Sequence, residues 1–305
     1  MSCLQSLQGQ SLSHFDIIVV DNLADVSIQT TIDGFNKEAR IAVRYVPEPN
    51  LGLHYARHMG IGVAQGDLLV FTDDDATFAP DWLLAYENAF KKHAAMVAAG
   101  GPVYPIWETP PPRWVTDFMG NAKSFPILSL MNLYSDFTLS NKVYFFGVNM
   151  AIRKSVLQSV GGFNPDSFGD IWLGNGETGL NQKLWNNGLL IGYVPDAKVY
   201  HHIPSSHTTK KYFYKRMRNE GACVEYYIFH GRNISAISLF LRFLYLVLSL
   251  GYTVLRGLAQ ILKQEKFAIL KLNLELMCMC GRFNYVVRLF FDKKLRELVR
   301  KKNWL

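Results

Sequence analysis

The sequence predicts an α/β fold with a mainly parallel central sheet, followed by a region that is entirely helical. Apolar runs of strand length alternate with helical patterns through about residue 200, and only helical patterns follow residue 205. The charge changes at the same place: residues 1–200 hold 13 Lys and Arg against 19 Asp and Glu, whereas residues 201–305 hold 19 against 6. We therefore expect two domains, residues 1–204 and residues 205–305.

The predicted sheet begins with four apolar runs, whose near-continuous apolar character is typical of strands covered by helices on both faces. The expected strands are residues 15–20, 41–46, 68–71 and 96–103. Residues 54–64 and 81–93 place apolar side chains at helical spacing, and Asp81 is a natural N-cap for the second of these helices. The strands and helices therefore alternate, as a layered α/β fold requires.

Three consecutive aspartates, Asp73 to Asp75, follow one of these strands. Like charges this close destabilise one another unless a cation screens them or one carboxyl stays protonated. Ligands of parallel sheets collect beyond the C-terminal strand ends, where Asp21 also lies. Mg²⁺ and Mn²⁺ prefer carboxylate oxygens and commonly keep phosphate oxygens as further ligands. We therefore expect a divalent metal with phosphates, or a ribose, near Asp73 and Asp75, which point the same way in an extended segment.

The stretch "LLVFTDDDAT" matches the signatures of two enzyme classes. In haloacid-dehalogenase-like phosphatases, Asp73 would be the nucleophile and Asp75 the general acid. In nucleotide-sugar glycosyltransferases, the first aspartate contacts the ribose and the last binds the metal on the diphosphate. The context favours the second class, because an apolar strand ending in "VVDN" precedes the motif and no acidic pair completes a phosphatase metal site downstream.

Residues 1 to about 203 resemble the family 2 inverting glycosyltransferases, which have the GT-A fold. Six stretches carry the resemblance in the order of the family: "FDIIVVDN", "NLGLHYARHMGIGVAQGDLLVFTDDD", "GGPV", "FFGVNMAIRKSVLQSVGGFNPD", "GNGETGLNQKLWNNG" and "VPDAKVYHH". Six segments in one order with plausible spacing are strong evidence, whereas any one of them alone would be weak.

The resemblance implies roles for five residues on the donor side of the site. Asp21 matches the acidic residue that contacts the nucleotide base or ribose, and Arg57 matches an arginine near the base and phosphates. Asp73 takes the ribose role and Asp75 the metal role. His201 falls where family members often place a histidine near the metal or diphosphate, with its neighbour in "YHH" able to exchange roles.

Glu177 matches the general base of the family, with the register fixed by Leu180 and Leu184. An inverting transfer needs one carboxylate to take the proton of the acceptor hydroxyl as its oxygen attacks the anomeric carbon. Glu177 opens a predicted helix, where the helix dipole favours its charged form. Gly176 stands where the family has another acidic residue, which is a departure from the pattern.

The chain also departs from the family at its start. Family members begin with a strand that lies inside the sheet, whereas this chain opens with the helix that follows that strand. We therefore expect an N-terminally truncated sheet, in which the backbone groups of two neighbouring strands lack a partner.

The basic C-terminal region contains an apolar stretch, residues 234–255, with Arg242 as its only charge. Residues 243–255 give about 20 Å of helix, short of the roughly 30 Å hydrocarbon core of a bilayer. Insertion of the whole stretch is marginal, and the basic residues that follow suit anionic headgroups. We expect membrane association, either as a span or in the membrane plane, and the alternative is a helix buried against the catalytic domain.

These features together predict a metal-dependent inverting glycosyltransferase at the cytoplasmic face of the cell membrane, peripheral or with a single span. The expected cofactor is Mg²⁺ or Mn²⁺, the donor a nucleotide-diphosphate sugar, with a UDP-sugar preferred, and the acceptor a hydroxyl of a glycan or lipid-linked saccharide. An anionic membrane surface is the expected partner and nucleic acid is not, because no nucleic-acid-binding module is recognised. Two alternatives remain open: a catalytically silent, truncated binding protein and a haloacid-dehalogenase-like phosphatase.

Overall fold

The computed structural model describes residues 1–23, 25–168 and 171–305. It confirms the predicted α/β class and the helical C-terminal region. The strands are β1 Ile17–Asp21, β2 Val43–Pro47, β3 Leu68–Phe71, β4 Ala76–Phe78, β5 Met96–Gly100, β6 Val103–Trp107, β7 Ser124–Phe125, β8 Leu130–Met131, β9 Thr138–Ser140, β10 Met150–Arg153, β11 Ser167–Phe168, β12 Ile171–Trp172, β13 Leu190–Tyr193 and β14 Val199–Ile203. The helices are α1 Ser2–Gln8, α2 Val26–Asn36, α3 Leu53–Val63, α4 Trp82–Lys92, α5 Arg113–Met119, α6 Lys154–Ser159, α7 Gly176–Asn186, α8 Lys210–Phe229, α9 Ala236–Leu262, α10 Ala268–Phe291 and α11 Lys293–Arg300.

The strands form mixed sheets, which corrects the expectation of a mainly parallel one. The central sheet has the order β3-β10-β5-β13-β9, and β10 runs antiparallel to both of its neighbours. A second sheet has the order β4-β14-β6-β8-β7, in which only β14 and β6 are parallel. An apolar run has the same pattern in either direction, so periodicity shows that a strand forms but not which way it runs.

The predicted elements form close to their expected positions. Strand β3 has the expected bounds, and the expected run 96–103 divides into β5 and β6 at Gly101 and Pro102. Helix α4 begins after Asp81, as predicted, but the Asp81 carboxylate accepts a hydrogen bond from the Ser11 hydroxyl at 2.5 Å instead of capping the helix. This contact ties the segment after α1 to the start of α4.

The sheet is interrupted between β1 and β3. Among the residues that the structure describes, β1 pairs with β2 alone, in parallel, and these two strands form a sheet separate from the one that contains β3. A cavity of about 840 Å³ is lined by β1 and β3 and by residues of α1, α3 and α4.

The helical region packs directly on the α/β part. Phe213 of α8 is fully buried and contacts the rings of Trp114 and Phe125, at centroid distances of 5.1 and 5.8 Å. Helices α8 and α10 are in close contact at Gly221 and Gly281. A Cβ atom at either position would overlap a backbone carbonyl of the other helix, so the contact requires glycine at both positions. The division into residues 1–204 and 205–305 follows this change of secondary structure and stays a prediction.

Candidate active site

Asp75 and His201 form a pair at the edge of the second sheet. Asp75 directly precedes β4, and the antiparallel register of β4 and β14 places His201 opposite Ala76. The Nε2 atom of His201 lies 3.3 Å from Oδ2 of Asp75. The carboxylate raises the pKa of His201 although burial of the ring opposes it, and the hydrogen bond from His201 lowers the pKa of Asp75 against the effect of partial burial.

The donor set of this pair fits a divalent cation. The Nδ1–H of His201 donates to the carbonyl of Leu128 at 3.1 Å, so Nε2 carries the second proton when the ring is protonated and donates it to Asp75. A cation that takes the place of this proton would bind the Nε2 lone pair and the Asp75 carboxylate together. One imidazole and one carboxylate suit Mn²⁺, or Mg²⁺ with added water and phosphate oxygens. Within the described residues no group of three or more His, Cys, Asp or Glu side chains is placed to hold a metal, so the remaining ligands would come from donor and solvent.

The neighbouring His202 faces away from this pair. Its Nε2 lies 3.3 Å from the hydroxyl of Thr77, and its backbone N–H donates to the carbonyl of Asp75. Successive residues of a strand point to opposite faces, so only one of the two histidines can reach the aspartate side chain. The structure places His201 beside Asp75, and its role at a metal or diphosphate stays a prediction.

A second pair joins Arg57 and Glu177, which lie 120 residues apart in the sequence. Arg57 projects from α3 and is buried, and its Nη1 lies 3.3 Å from Oε2 of Glu177 at the start of α7. The guanidinium also lies 5.0 Å from the ring centroid of Phe163. Burial opposes its charge, but Glu177, Asp166 and Asp73 together raise the pKa of Arg57. The arginine is therefore fixed by carboxylates.

Asp73 lies between the two pairs. Burial raises the pKa of its carboxyl to about 6, and Glu177 and Asp75 add to this, whereas Arg57 and His201 act in the opposite direction. Asp73 is thus close enough to both pairs to interact electrostatically with all four side chains. Glu177 and the candidate metal ligands therefore interact with one carboxylate, and their catalytic roles stay predictions.

Asp166 is a site residue that the sequence reasoning did not identify. Its carboxylate is buried, and its Oδ1 accepts from the backbone N–H of Gly176 at 3.3 Å. A Cβ atom at Gly176 would lie 2.7 Å from that Oδ1 and 2.9 Å from Nη1 of Arg57. Asp166 and Arg57 therefore occupy the space that the family's acidic side chain would take at position 176. The only sequence signal was its place at the end of "GGFNPD", a stretch that carried the resemblance.

Asp21 lies at the end of β1, and its carboxylate stabilises the turn that follows. It accepts hydrogen bonds from the backbone N–H groups of Leu23 and Asp25, at 2.9 and 2.7 Å, and from the Tyr45 hydroxyl at 2.9 Å. Its predicted role at the nucleotide stays a prediction.

Helix α8 borders the same cleft. His207, just before the helix, stacks on Tyr212 at 4.0 Å, and both interact electrostatically with Asp75. Further along, Glu220 interacts with Glu177, and Arg216 interacts with both His207 and Glu220. The basic helix therefore runs from the Asp75 pair towards Glu177.

The sequence matches a family model and two curated relatives. The model described as "Glycosyl transferase family 2" matches residues 2–161. The succinoglycan biosynthesis protein ExoM of Rhizobium meliloti is 26% identical over 208 residues, which cover 67% of this chain and 62% of ExoM. A glucosyl-dolichyl phosphate glucuronosyltransferase of Haloferax volcanii is 22% identical over 171 residues, covering 54% of this chain and 50% of the relative. The chain thus spans less than two-thirds of the length of either relative.

Solved structures share the fold. The mannosyltransferase PcManGT from Pyrobaculum calidifontis, in complex with GDP-Man and Mn²⁺, aligns with a TM-score of 0.57 at 17% identity over 95% of this chain and 83% of PcManGT. GalNAc-T7 with UDP, GalNAc and Mn²⁺ gives 0.53 at 15% identity over 74% of this chain and 47% of GalNAc-T7. This likeness confirms the GT-A architecture. Because the family model covers more than half of its residues, the chain belongs to glycosyl transferase family 2.

Proposed function

We propose that this chain is a metal-dependent inverting glycosyltransferase that moves a sugar from a nucleotide-diphosphate sugar, for which a UDP-sugar is preferred, to a hydroxyl. The observation that carries the proposal is the position of Asp73, which interacts with the Asp75–His201 pair and with the Arg57–Glu177 pair. The candidate cation ligands and the candidate base therefore lie within electrostatic range of the same carboxylate. Membership of family 2 supports the same reaction class.

The donor would bind along the Asp21, Asp73 and Asp75 side of the cleft. Asp75 and His201 would hold Mg²⁺ or Mn²⁺, whose chemistry when bound is to stabilise charge on the departing nucleoside diphosphate. Asp73 is assigned to the ribose and Asp21 to the base or ribose, as the resemblance implies. The Mn²⁺ and nucleotides in the complexes of PcManGT and GalNAc-T7 support this kind of donor.

Glu177 is assigned as the general base. It takes the proton of the acceptor hydroxyl while the oxygen attacks the anomeric carbon from the face opposite the diphosphate, which leaves with the bonding electron pair. Its side chain is 26% exposed, so an acceptor can reach it, while Arg57 engages one of its oxygens and fixes its direction. Arg57 therefore supports the base, in addition to its predicted place near the donor phosphates.

The acceptor is assigned to growing glycans or lipid-linked saccharides. The names of the two curated relatives refer to succinoglycan biosynthesis and to a glucosyl-dolichyl phosphate substrate, which support an acceptor of this class. Helix α9 is the one helix in the described part of the chain that is long and apolar enough to cross a membrane. We assign the protein to the cytoplasmic face of a membrane on the strength of that helix and the basic C-terminal region.

Binding and turnover measurements on matched variants test the proposal. Purified protein is titrated with UDP and GDP with and without Mn²⁺, and turnover is followed as nucleoside diphosphate release from a panel of nucleotide sugars. We expect Asp75→Asn to weaken Mn²⁺-dependent nucleotide binding at least about tenfold, because it removes a cation ligand. We expect Glu177→Gln to leave binding intact and to lower turnover roughly 10²- to 10⁴-fold.

Asp74→Asn is the matched control, since Asp74 is an exposed carboxylate beside the site. Nucleotide binding without turnover in any condition would favour the silent binding protein. Release of inorganic phosphate that Asp73→Asn abolishes and Glu177→Gln spares would favour the phosphatase.

A further inference from the structure

Helix α9 exposes an apolar face along its whole length. At about 100° per residue its exposed apolar side chains fall within one half of the helix circumference. Ile237 is 73% exposed near the start, Leu248 76% in the middle and Leu262 83% at the end. The face also contains Phe240, Leu241, Leu244, Val247, Leu255 and Leu258. A patch of this size is exceptional on a soluble surface and indicates a partner.

The opposite face of α9 is fixed to the body of the protein. Arg242 donates two hydrogen bonds of 2.8 Å to the fully buried Glu225 of α8. Leu246 is fully buried, and Gly257 packs against Leu272 of α10. The helix is therefore held against α8 and α10 through most of its 27 residues. A spanning orientation would carry the buried ion pair of Arg242 into the bilayer, which is costly.

Exposed tyrosines and one arginine mark one edge of the exposed face. Tyr245 and Tyr252 are 52% and 66% exposed, and the Arg256 guanidinium lies 5.8 Å from the ring centroid of Tyr252. Tyrosine and arginine favour the headgroup level of a bilayer. In a spanning helix such residues gather at its two ends, whereas here they follow its axis over about 16 Å. This arrangement places the helix axis parallel to the headgroup layer.

Basic side chains also lie at both ends of α9. Arg300 donates to the carbonyl of Ile234 just before the helix, at 3.4 Å, and the exposed Arg232 is two residues earlier. Lys263 and Lys266 follow the helix and are exposed, with Glu265 as the acidic residue between them. A spanning helix carries its excess of Lys and Arg on one side of the membrane. Cations at both ends match anionic headgroups of a single leaflet.

We propose that α9 lies in the plane of an anionic bilayer, with its exposed apolar face at the boundary of headgroups and acyl chains and with both ends at the same depth. This inference rests on the membrane association proposed above and decides between its two forms. It also orients the cleft, because α8 carries both Glu225, which holds α9, and Glu220, which interacts with Glu177. The base therefore lies within a few helical turns of the membrane surface.

Depth measurements along α9 test the orientation. Single cysteines replace Ile237, Leu248 and Leu262 in the full chain, with Cys278 and Cys280 changed to alanine, and each carries a bimane label. Vesicles of phosphatidylglycerol and phosphatidylcholine contain lipids with quenchers at two depths. The in-plane orientation predicts similar quenching at all three positions, strongest for the shallow quencher. A deep centre with unquenched ends would show a span, and no quenching at any position would show that lipid does not cover the face; either result would overturn the proposal.

A charge placed on the face tests the same contact independently. We expect Leu248→Glu to lower vesicle affinity about tenfold, since it removes one apolar anchor from the lipid. Leu51→Glu is the matched control, because Leu51 is 69% exposed in a loop and should leave vesicle affinity unchanged. Equal effects of the two substitutions would contradict the proposal. Mn²⁺-dependent UDP binding in solution, measured on each variant, confirms folding and separates loss of the membrane contact from failure of the proposed enzymatic function.

Discussion

Asp166 holds a buried negative charge behind the candidate base, where Arg57 is its nearest source of compensation. Burial raises the pKa of Asp166 to about 6, with Arg57 acting against the shift and Glu177 adding to it. Its Oδ2 has no hydrogen-bond partner among the described residues. The Arg57 guanidinium thus interacts with both Glu177 and Asp166. Asp166 occupies the space beside Gly176, the position at which the family has an acidic residue.

Substituting Asp166→Asn should change the dependence of stability on pH. A carboxyl whose pKa is raised from 3.8 to about 6 binds its proton more tightly in the folded state, so its contribution to the free energy of unfolding falls as pH rises from about 4 to 6. We expect the variant to gain on the order of 2 kcal/mol over the parent at pH 8 and little at pH 4. Denaturant unfolding of both proteins at the two pH values measures this.

Subtracting the free energy of unfolding of the parent from that of the variant cancels the contributions of other groups that titrate between about pH 4 and 8. His54 and His58, whose pKa values burial lowers to about 4, are common to both proteins. The same difference in stability at pH 4 and at pH 8 would show that Asp166 is not protonated preferentially in the folded state.

The candidate site could be predicted from sequence where a residue's role depends on local pattern. The aspartates after β3 and the glutamate that opens α7 were identifiable in this way. The choice of His201 over His202 came from the family resemblance and not from local pattern, because it depends on the register of β14 with β4, two strands more than 100 residues apart. The pairing of Arg57 with Glu177 was equally hidden, since nothing in the spacing of two segments shows which side chains meet.

At the scale of elements, three helices of the C-terminal region meet at one buried carboxylate. Glu225 of α8 accepts two hydrogen bonds from Arg242 of α9 and one of 2.7 Å from Arg282 of α10. In the sequence, Arg242 is the one charged residue of the apolar stretch 234–255, and it lowers the hydropathy of that stretch. Its partner lies 17 residues away on another helix, so hydropathy could identify the apolar helix but not its fixed side.

We expect Glu225→Gln to destabilise this helical region by about 3–5 kcal/mol, because it leaves two partly buried guanidinium groups facing a neutral amide. Thermal unfolding followed by circular dichroism measures the loss. Glu275→Gln is the control, since its ion pair with Arg256 is more exposed and should contribute under 1 kcal/mol. If the two substitutions cost the same, the buried carboxylate does not organise the three helices.

At the scale of the whole molecule, a cavity of about 840 Å³ separates β1 from β3. Its lining is mixed: Ile17 and Ile18 of β1 and Leu69 of β3 contribute apolar surface, and Asp16 and Glu87 contribute polar surface. A strand placed there would find apolar partners on both neighbouring strands.

The path of the chain fixes the direction of such a strand. The Cys3 thiol lies 3.8 Å from the carbonyl of Asp73, so α1 starts at the edge of the sheet that holds the candidate site. A strand joined to the start of α1 would end at that edge and would make a β-α-β crossover with β1, which is right-handed in nearly all proteins. The fold class could be predicted without this strand because the remaining elements keep their own patterns and order.

An engineered chain that carries an apolar, β-branched pentapeptide before Met1, joined by a short turn, should therefore be more stable than the parent. We expect a rise in melting temperature of about 5 °C, since each kcal/mol gained raises the melting temperature by about 2–4 °C in domains of roughly 150–250 residues, the size class of the α/β part. Backbone amides of β1 and β3 should also exchange more slowly with solvent, because the added strand supplies hydrogen-bond partners. A glycine–serine extension of equal length is the control, as it lacks the apolar side chains. Equal melting temperatures for the two extended chains, with unchanged amide exchange, would show that the cavity does not accept a strand.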